Sequence, residues 1–251
     1  MIRIVIASDF HLKYIGNEED NQRFNRVCCF LKSLKENCEV LILNGDIFDL
    51  WIEWNTVIIK DYFPILKILS DLKESGIRII MVTGNHDFWF GNFLSQTIGI
   101  ELYQDFFSET IGLNTFYVTH GDLHTVNDIR YQIFRRIIRS FPVKVLVKCI
   151  HPTLSLYLGT SLSRSSRNRK DSPDLQQKKE KGLIRFAEKM INDFQTINQS
   201  KSLVVAMGHS HQPKLIPIKQ GWYVNSGDWI KHKSYCIINQ EKIEIRYYES
   251  S

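Results

Sequence analysis

The feature that most constrains the fold is a regular alternation between short apolar runs and segments with helical spacing. Five runs of β-branched and aliphatic residues are typical of strands buried on both faces, and they lie at 2–8, 39–44, 77–83, 115–119 and 203–207. Between the first three runs, apolar residues recur at the spacing of one helix face, from Phe24 to Leu34 and from Tyr62 to Leu72. This β-α-β-α-β order predicts an α/β domain whose partly parallel sheet is covered by helices.

A segment with a different pattern, about 126–195, interrupts this alternation. Ile129, Ile133, Ile137 and Phe141 form an apolar stripe on one predicted helix, whose other faces carry four arginines. Residues 159–173 are predicted to be a polar loop, and 174–195 a helix whose apolar residues face inward. We therefore expect a single domain over 1–251 with a helical cap insertion at 126–195. Short strands after residue 213 are expected to end in a hairpin.

Positive charge is concentrated in this segment. Residues 126–170 contain ten Lys or Arg residues and one acidic residue, whereas the whole chain has a formal net charge of +5, so the remainder is net acidic. Basic residues mixed with aliphatic ones favour an anionic amphiphile or a membrane surface as the partner. Two alternatives are a surface helix pair whose isoleucines pack in the core, and a nucleic-acid surface. Regularly placed stacking aromatics are missing from the segment, so no nucleic acid is expected.

The cysteines and the apolar segments bear on cellular location. The five cysteines form no CxxC pair and no even disulfide framework, which favours reduced thiols. The sequence begins with a predicted strand that already leads to Asp9 and His11, so we expect no signal peptide. The longest apolar stretch, roughly 143–162, is interrupted by Lys144, Lys148 and Pro152 and is not expected to span a bilayer.

A polar motif follows each of the five strand-like runs. The motifs are, in order, DFH (9–11), GDIFD (45–49), GNHD (84–87), HGD (120–122) and GHSH (208–211). Ligands of α/β sheets bind at the carboxyl ends of the strands, so these loops are expected to converge. Each motif alone is typical of an ordinary turn or helix cap. Five such motifs in succession, each after an apolar run, indicate a shared site.

The residue types in these motifs are those that bind divalent transition-metal ions. They supply carboxylate oxygens, an amide oxygen and imidazole nitrogens, and no cysteine is available to suggest a structural zinc site. Seven candidate ligands are too many for one ion, whereas two ions that share a bridging carboxylate would use all of them. The candidates are Asp9, His11, Asp46, Asn85, His120, His209 and His211.

This succession of motifs resembles the calcineurin-like metallophosphoesterase superfamily, with the pattern D-x-H, GDxxD, GNHD, a later His and GHxH. The resemblance implies a four-layer αββα sandwich with a dimetal centre at its edge. One metal would take Asp9, His11 and His211; the other would take Asn85, His120 and His209, with Asp46 bridging the two. The resemblance also implies that His86 is a catalytic residue, which stabilises the transition state or protonates the leaving oxygen. A carboxylate such as Asp49 or Asp87 would orient it.

Three further stretches make the resemblance more specific. The run 119–135 with the apolar, basic segment after it, GHSHQP (208–213) and NSGDW (225–229) are similar to the UDP-2,3-diacylglucosamine pyrophosphatases of lipid A synthesis. This resemblance implies hydrolysis of UDP-2,3-diacylglucosamine to UMP and 2,3-diacylglucosamine 1-phosphate, with Mn²⁺ as the two divalent metal ions. It also implies a cytoplasmic protein that is peripheral on the cytoplasmic face of the inner membrane. The substrate contacts implied are Asn85, Asp128, Ser166 and His209.

The sequence leaves the substrate open. Many members of the narrower family have Arg where this chain has His86, so a generic metallophosphodiesterase or phosphatase is an alternative. A non-catalytic scaffold is a second alternative, although a scaffold does not need seven intact ligands and His86. The aromatics of 88–90 either pack the loop or line the substrate entrance.

Overall fold

The computed structural model describes residues 3–125, 129–168, 173–198, 201–239 and 242–249. Within these residues the chain forms two β-sheets. The strands are β1 (Ile4–Ala7), β2 (Val40–Asn44), β3 (Arg78–Val82), β4 (Glu101–Tyr103), β5 (Phe106–Ile111), β6 (Asn114–Thr119), β7 (Ser202–Met207), β8 (Lys214–Ile218), β9 (Gly221–Asn225), β10 (Ser234–Ile238) and β11 (Ile243–Tyr247). The first sheet has the order β11–β10–β1–β2–β3–β4 and the second β5–β6–β7–β9–β8.

The α-helices of the described chain are α1 (Glu18–Ser33), α2 (Phe63–Glu74), α3 (Ile129–Ile138), α4 (Phe141–Cys149), α5 (Pro152–Asn168) and α6 (Pro173–Ile197). Three of them, α1, α2 and α6, were predicted most directly from apolar spacing. α1 begins with a capping box, in which the Asn17 side chain accepts from the Asp20 N–H and the Asp20 carboxylate accepts from the Asn17 N–H. These bonds satisfy two of the donors that a helix start leaves unpaired, and so they fix where α1 begins.

Three apolar cores separate four layers. α1 and α2 cover the outer face of the first sheet, the two sheets pack face to face, and α6 covers the outer face of the second sheet. The cores contain Val27, Leu31 and Leu69 on the first outer face, Ile6, Ile80 and Phe116 between the sheets, and Leu183, Ala187 and Ile191 beneath α6. The predicted four-layer sandwich and the inward-facing side of the 174–195 helix are confirmed.

The carboxyl ends of the central strands meet at one edge of the sandwich. β1, β2 and β3 are parallel neighbours in the first sheet, and β6, β7 and β9 are parallel neighbours in the second. Asn44, the buried last residue of β2, donates to the carbonyl oxygens of Thr119 at 3.1 Å and Ala206 at 3.4 Å. Because these acceptors lie near the ends of β6 and β7, the two bonds hold the loop-bearing edges of both sheets together.

Helices α3, α4 and α5 leave most of their large apolar side chains in solvent. Ile133, Phe134, Ile137 and Phe141 are between 51% and 78% exposed. The alternative in which the isoleucines pack in the core is therefore wrong for Ile133 and Ile137. The cap boundaries of 126–195 stay a prediction, because most of α6 falls in that range and α6 forms the outer layer of the sandwich. No described helix combines the length and hydrophobicity needed to cross a membrane.

The polar loop predicted over 159–173 is wrong as far as Asn168, where α5 ends. Thr160 Oγ1 donates to the Leu156 carbonyl oxygen at 2.7 Å, and Ser161 Oγ donates to that of Tyr157 at 2.9 Å. Ser and Thr hydroxyls that donate to a carbonyl oxygen one turn earlier are compatible with a helix, although a segment rich in Ser and Thr suggests a loop. The Tyr14 hydroxyl, from the loop after β1, lies 2.8 Å from Thr160 Oγ1 and anchors the helix to the sandwich.

Candidate dimetal active site

The backbone at the strand ends adopts a conformation that non-glycine residues rarely take. Seven non-glycine residues of the described chain have positive φ angles, and five of them are candidate ligands. Such a conformation costs on the order of 1–3 kcal/mol and persists only where the surrounding structure enforces it. The five are Asp9 (54°), His11 (45°), Asp46 (52°), His209 (65°) and His211 (58°). The turns that hold the candidate ligands are therefore shaped by the site and not by local preference.

Asp9, His11 and His211 form the first ligand group. His211 Nε2 lies 3.1 Å from Asp9 Oδ1 and 3.2 Å from His11 Nε2. Although Asp9 Oδ1 is buried, it receives no aligned hydrogen bond from the part of the chain that the structure describes. A buried carboxylate oxygen without a hydrogen bond is costly unless a cation balances it. Together with the two imidazole nitrogens it provides a donor set that fits a divalent ion.

Asn85, His120 and His209 form the second ligand group, and Asp46 lies between the two groups. Asn85 Oδ1 is 3.1 Å from His120 Nε2 and 2.9 Å from His209 Nδ1. Asp46 Oδ2 is 3.3 Å from His120 Nε2 and 3.7 Å from His11 Nε2. The structure thus brings all seven predicted ligands together. It places Asp46 where a carboxylate can reach both groups.

The charges of the site stabilise positive charge in both groups. Burial lowers the pKa of His120, but the Asp46 carboxylate outweighs this effect and raises that pKa to about 10. Burial likewise lowers the pKa of His211, and Asp9 and Asp228 raise it to about 10. Burial and the charge of His120 lower the pKa of His209 to about 4, so this imidazole is neutral at pH 7 and has a lone pair to offer. Such a field favours the binding of cations.

His86 lies beside both groups and is fixed by Asp49. Its Nδ1 is 3.2 Å from the Asp49 carbonyl oxygen and 3.8 Å from Asp49 Oδ1. Its backbone N–H donates to Asp46 Oδ1 at 2.9 Å, and its ring meets that of His11 edge-on. His86 is also close enough to His11 and Asp46 for the three to share an ion. The imidazole is therefore held within reach of any group that binds at the ligand groups.

Asp87 holds the loops of the site together. Its buried carboxylate accepts hydrogen bonds from four backbone N–H groups, those of Asp46 (3.1 Å), Ile47 (2.7 Å), Phe48 (3.1 Å) and Gly84 (2.8 Å). Burial, and then the nearby Asp46 carboxylate, raise the pKa of Asp87 to about 7. Of the two carboxylates considered as partners of His86, Asp49 is the one that faces its ring.

The sequence profile of the calcineurin-like phosphoesterases matches residues 2–213. The chain belongs to the calcineurin-like phosphoesterase family. The resemblance inferred from the five motifs is confirmed, and the protein is a metal-dependent phosphoester hydrolase.

Curated relatives of this phosphoesterase match nearly the whole chain. UDP-2,3-diacylglucosamine hydrolase of Porphyromonas gingivalis is 25% identical over an alignment of 253 positions, gaps included, which covers 94% of this chain and 93% of that protein. The protein of the same name from Haemophilus ducreyi is 26% identical over 245 residues, or 96% of this chain and 98% of that protein. An archaeal phosphodiesterase of known structure has a TM-score of 0.50 at 16% identity, with 98% of each chain covered. At that identity the structural likeness shows the fold alone.

The structure places Arg135 of α3 and Arg139, the residue directly after that helix, against the loops of this phosphoesterase. Arg135 Nε donates to Asp122 Oδ2 at 2.9 Å, and Arg139 Nη2 donates to the Gly84 carbonyl oxygen at 2.7 Å. The Arg139 guanidinium also lies over the Phe88 ring, 4.7 Å from its centroid. The sequence pattern did not predict these contacts, because the partners are distant in the chain. Arg135 and Arg139 are thus not the solvated arginines of the surface-helix alternative.

One more carboxylate adjoins the first ligand group. Asp228 Oδ2 lies 3.3 Å from His211 Nδ1. The NSGDW motif that contains it follows strand β9, and this position after a strand was the signal that could have identified it. Two predicted substrate contacts, Asp128 and the side chain of Ser166, lie outside the described residues. The two others, Asn85 and His209, belong to the second ligand group.

Proposed function

We propose that this phosphoesterase hydrolyses the pyrophosphate bond of UDP-2,3-diacylglucosamine, giving UMP and 2,3-diacylglucosamine 1-phosphate in lipid A synthesis. The observation that carries the proposal is an apolar cavity of about 160 Å³ between the GNHD loop and α4. It provides space for a hydrocarbon chain next to a phosphoesterase centre. The names of the two bacterial relatives support the same substrate.

The seven predicted ligands are proposed to hold two divalent ions, manganese in our proposal. Asp9, His11 and His211 would bind one ion, the second ligand group would bind the other, and Asp46 would contribute to both. Bound ions supply Lewis acidity and a nucleophile that is active near neutral pH. The buried carboxylates of Asp9 and Asp46 match this assignment, because they lie among imidazoles and favour positive charge.

His86 and Asp49 are proposed to handle the leaving group. Asp49 engages His86 at Nδ1, so the other ring nitrogen, Nε2, is assigned the proton that passes to the departing oxygen. A positioned general acid contributes roughly 10²- to 10⁴-fold to a reaction rate. In this assignment Asp49 orients the ring and His86 donates the proton.

The head group of the substrate is proposed to lie between the second ligand group and the cap. Asn85 and His209 are assigned contacts with phosphate oxygens. Asp128 and Ser166 are assigned contacts with the glucosamine or its phosphate, on the strength of the family resemblance. Asp128 and the side chain of Ser166 lie outside the described part of the structure, so these two assignments rest on sequence alone.

The cavity beside the GNHD loop is proposed to receive an acyl chain. It is lined by apolar side chains of the core and of α4, with two lysines one helical turn apart and one carboxylate. The lining residues are Ile52, Glu53, Trp89, Phe90, Phe141, Lys144, Val145, Val147 and Lys148. An apolar cavity with a few polar groups is the usual form of a small-molecule site. Trp89 and Phe90 therefore support the alternative in which the aromatics of the GNHD loop line the substrate entrance.

The outward face of the cap is proposed to rest on the cytoplasmic face of the inner membrane. Ile133, Ile137 and Phe141 are exposed there, and the exposed Arg136 lies on the same helix as the first two. Clustered apolar side chains with cations suit the interface of an anionic bilayer. A peripheral position would let a lipid substrate reach the cavity without leaving the membrane.

Product analysis tests the proposal. The manganese-loaded protein is incubated with UDP-2,3-diacylglucosamine and, in parallel, with bis(p-nitrophenyl) phosphate. We expect UMP and the acylated sugar phosphate at a strongly preferred rate. Turnover of the small ester alone would contradict the proposed lipid substrate but not the hydrolase activity. It would support a phosphodiesterase or phosphatase of another substrate.

A further inference from the structure

Packing holds His211 less firmly than it holds His11 and His120. Its side chain is 33% exposed, whereas those of His11 and His120 are 3% and 1% exposed. Close packing confines a buried ring to one rotamer, but a ring with a third of its surface in solvent has room to turn. A further contact is therefore needed to keep His211 Nε2 directed at Asp9.

We propose that Asp228 is the positioning residue that fixes the rotamer and the tautomer of His211. Asp228 Oδ2 lies 3.3 Å from His211 Nδ1, while Nε2 of the same ring lies 3.1 Å from Asp9 Oδ1. A carboxylate at Nδ1 keeps the proton on that nitrogen and leaves the lone pair of Nε2 for a metal ion. The inference rests on the proposed dimetal site and is independent of the substrate.

Asp228 is itself rigidly held. Its side chain is buried, and Oδ1 accepts from the backbone N–H groups of Lys231 at 3.1 Å and His232 at 2.9 Å. His232 Nδ1 lies 3.0 Å from the same oxygen. The two backbone N–H bonds alone engage Oδ1 and set Oδ2 towards His211.

The loop that carries Asp228 is tied to the loop that carries Asp9. The Trp229 N–H donates to the Asp9 carbonyl oxygen at 3.2 Å, and the hydroxyls of Ser226 and Ser8 are 2.8 Å apart. Because the two loops are joined by these bonds, the position of Asp228 is set relative to the first ligand group.

The second ligand group contains an analogous contact that does not involve Asp228. His120 Nδ1 lies 3.1 Å from the Asn44 carbonyl oxygen, and its Nε2 faces Asn85 and Asp46. Each group thus has one imidazole that is engaged at Nδ1 and directed inward at Nε2. Loss of Asp228 should weaken the first group and spare the second.

Calorimetric titration of the metal-free full-length protein with Mn²⁺ tests this assignment. We expect two binding events in the wild type. In Asp228→Ala one of them should weaken by about 10- to 100-fold, the usual effect of losing the outer partner of a metal-bound histidine, and the other should not change. Asp228→Asn keeps an oxygen that can accept from Nδ1–H and should recover most of the lost affinity. His232→Ala removes the other imidazole partner of Asp228 and should bind both ions like the wild type.

Three results would overturn the assignment. Unchanged affinities in Asp228→Ala would show that His211 needs no partner. Parallel weakening of both events, or a matching loss in His232→Ala, would show that Asp228 only maintains the loop. Each of these results leaves the dimetal site standing, because the wild type still binds two ions. A wild type that binds fewer than two ions would instead remove the dimetal proposal and this inference with it.

Discussion

At the scale of single residues, the proposed bridging role of Asp46 can be tested directly. Its Oδ2 lies 3.3 Å from His120 Nε2 and 3.7 Å from His11 Nε2. If both ions use this carboxylate, Asp46→Ala takes a charge and an oxygen from each site at once. We expect the manganese content after gel filtration, measured by mass spectrometry, to fall towards zero and not to half of the wild-type value.

Two further variants separate charge from loop structure. Asp46 Oδ1 accepts from the His86 N–H, and Asp46→Asn keeps an acceptor at that place while it removes the charge. Asp61→Ala makes the same change of charge at an exposed site and should keep both ions. An Asp46→Asn protein with full metal occupancy would contradict a bridging role.

His86 is expected to act on the leaving group and not as an essential metal ligand. His86→Ala should lower turnover by roughly 10²- to 10⁴-fold, the contribution of a positioned general acid, while the metal content stays near normal. The loss should be larger for a phosphodiester with an alkoxide leaving group than for a p-nitrophenyl ester, because the phenolate departs without a proton. Steady-state rates on the two esters, with metal analysis of the same samples, measure both effects.

The exposed imidazole of His151 supplies the matched control for this variant. His151→Ala should leave both rates unchanged. Because His86 lies within ligand distance of His11 and Asp46, the loss of an ion in His86→Ala is the result that would make its role structural. Equal losses on both esters would point to stabilisation of charge and not to proton donation.

At the scale of elements, α3 reverses the usual orientation of an amphipathic helix. Arg135 faces the site loops, and Ile133 and Ile137 face solvent. Periodicity identifies two faces of a helix but not which of them points inward, and the common rule places the apolar face on the core. The rule succeeds for α1, α2 and α6, which cover the sheets. It fails for α3, because the partners of its arginines come from loops far away in the sequence.

Arg139, directly after α3, is expected to support the GNHD loop. Its hydrogen bond to the Gly84 carbonyl oxygen is 2.7 Å long and adjoins Asn85, and hydrogen bonds of charged groups contribute about 1.5–3 kcal/mol. Arg139→Ala should therefore lower kcat/KM by roughly tenfold or more, since about 1.4 kcal/mol corresponds to a factor of ten. Turnover of both the lipid and the small ester is the measurement, because the loop serves both.

Arg136, exposed on α3 three residues before Arg139, provides the control for this prediction. Arg136→Ala changes the charge by the same amount without a contact to the site loops, and it should retain wild-type turnover of the small ester. If Arg139→Ala also retained it, α3 would not be needed to hold the GNHD loop.

At the scale of the whole molecule, the sandwich and the place of its site follow from the sequence, whereas the way the cap docks does not. Buried strands, their helices and the motifs at the strand ends are local patterns with a direct physical cause. The hydrogen bonds from Asn44 to Thr119 and Ala206, which join the two sheets at the edge that carries the site loops, depend on the final packing. A loop was predicted for the helical residues 159–168 because they are rich in Ser and Thr. Composition does not reveal that these hydroxyls donate to carbonyl oxygens within the same helix.

The apolar face of the cap gives the last prediction, which concerns how the molecule meets a lipid surface. Ile133 and Ile137 are 55% and 58% exposed, and full burial of an isoleucine contributes about 1.5–3 kcal/mol. The double variant Ile133→Gln/Ile137→Gln should weaken co-sedimentation with anionic liposomes by about tenfold or more. Its turnover of bis(p-nitrophenyl) phosphate should not change, because the inward contacts of Arg135 and Arg139 remain. Ile197→Gln, at an 84% exposed position on α6, should bind liposomes like the wild type, and equal binding by all three proteins would move the membrane contact away from α3.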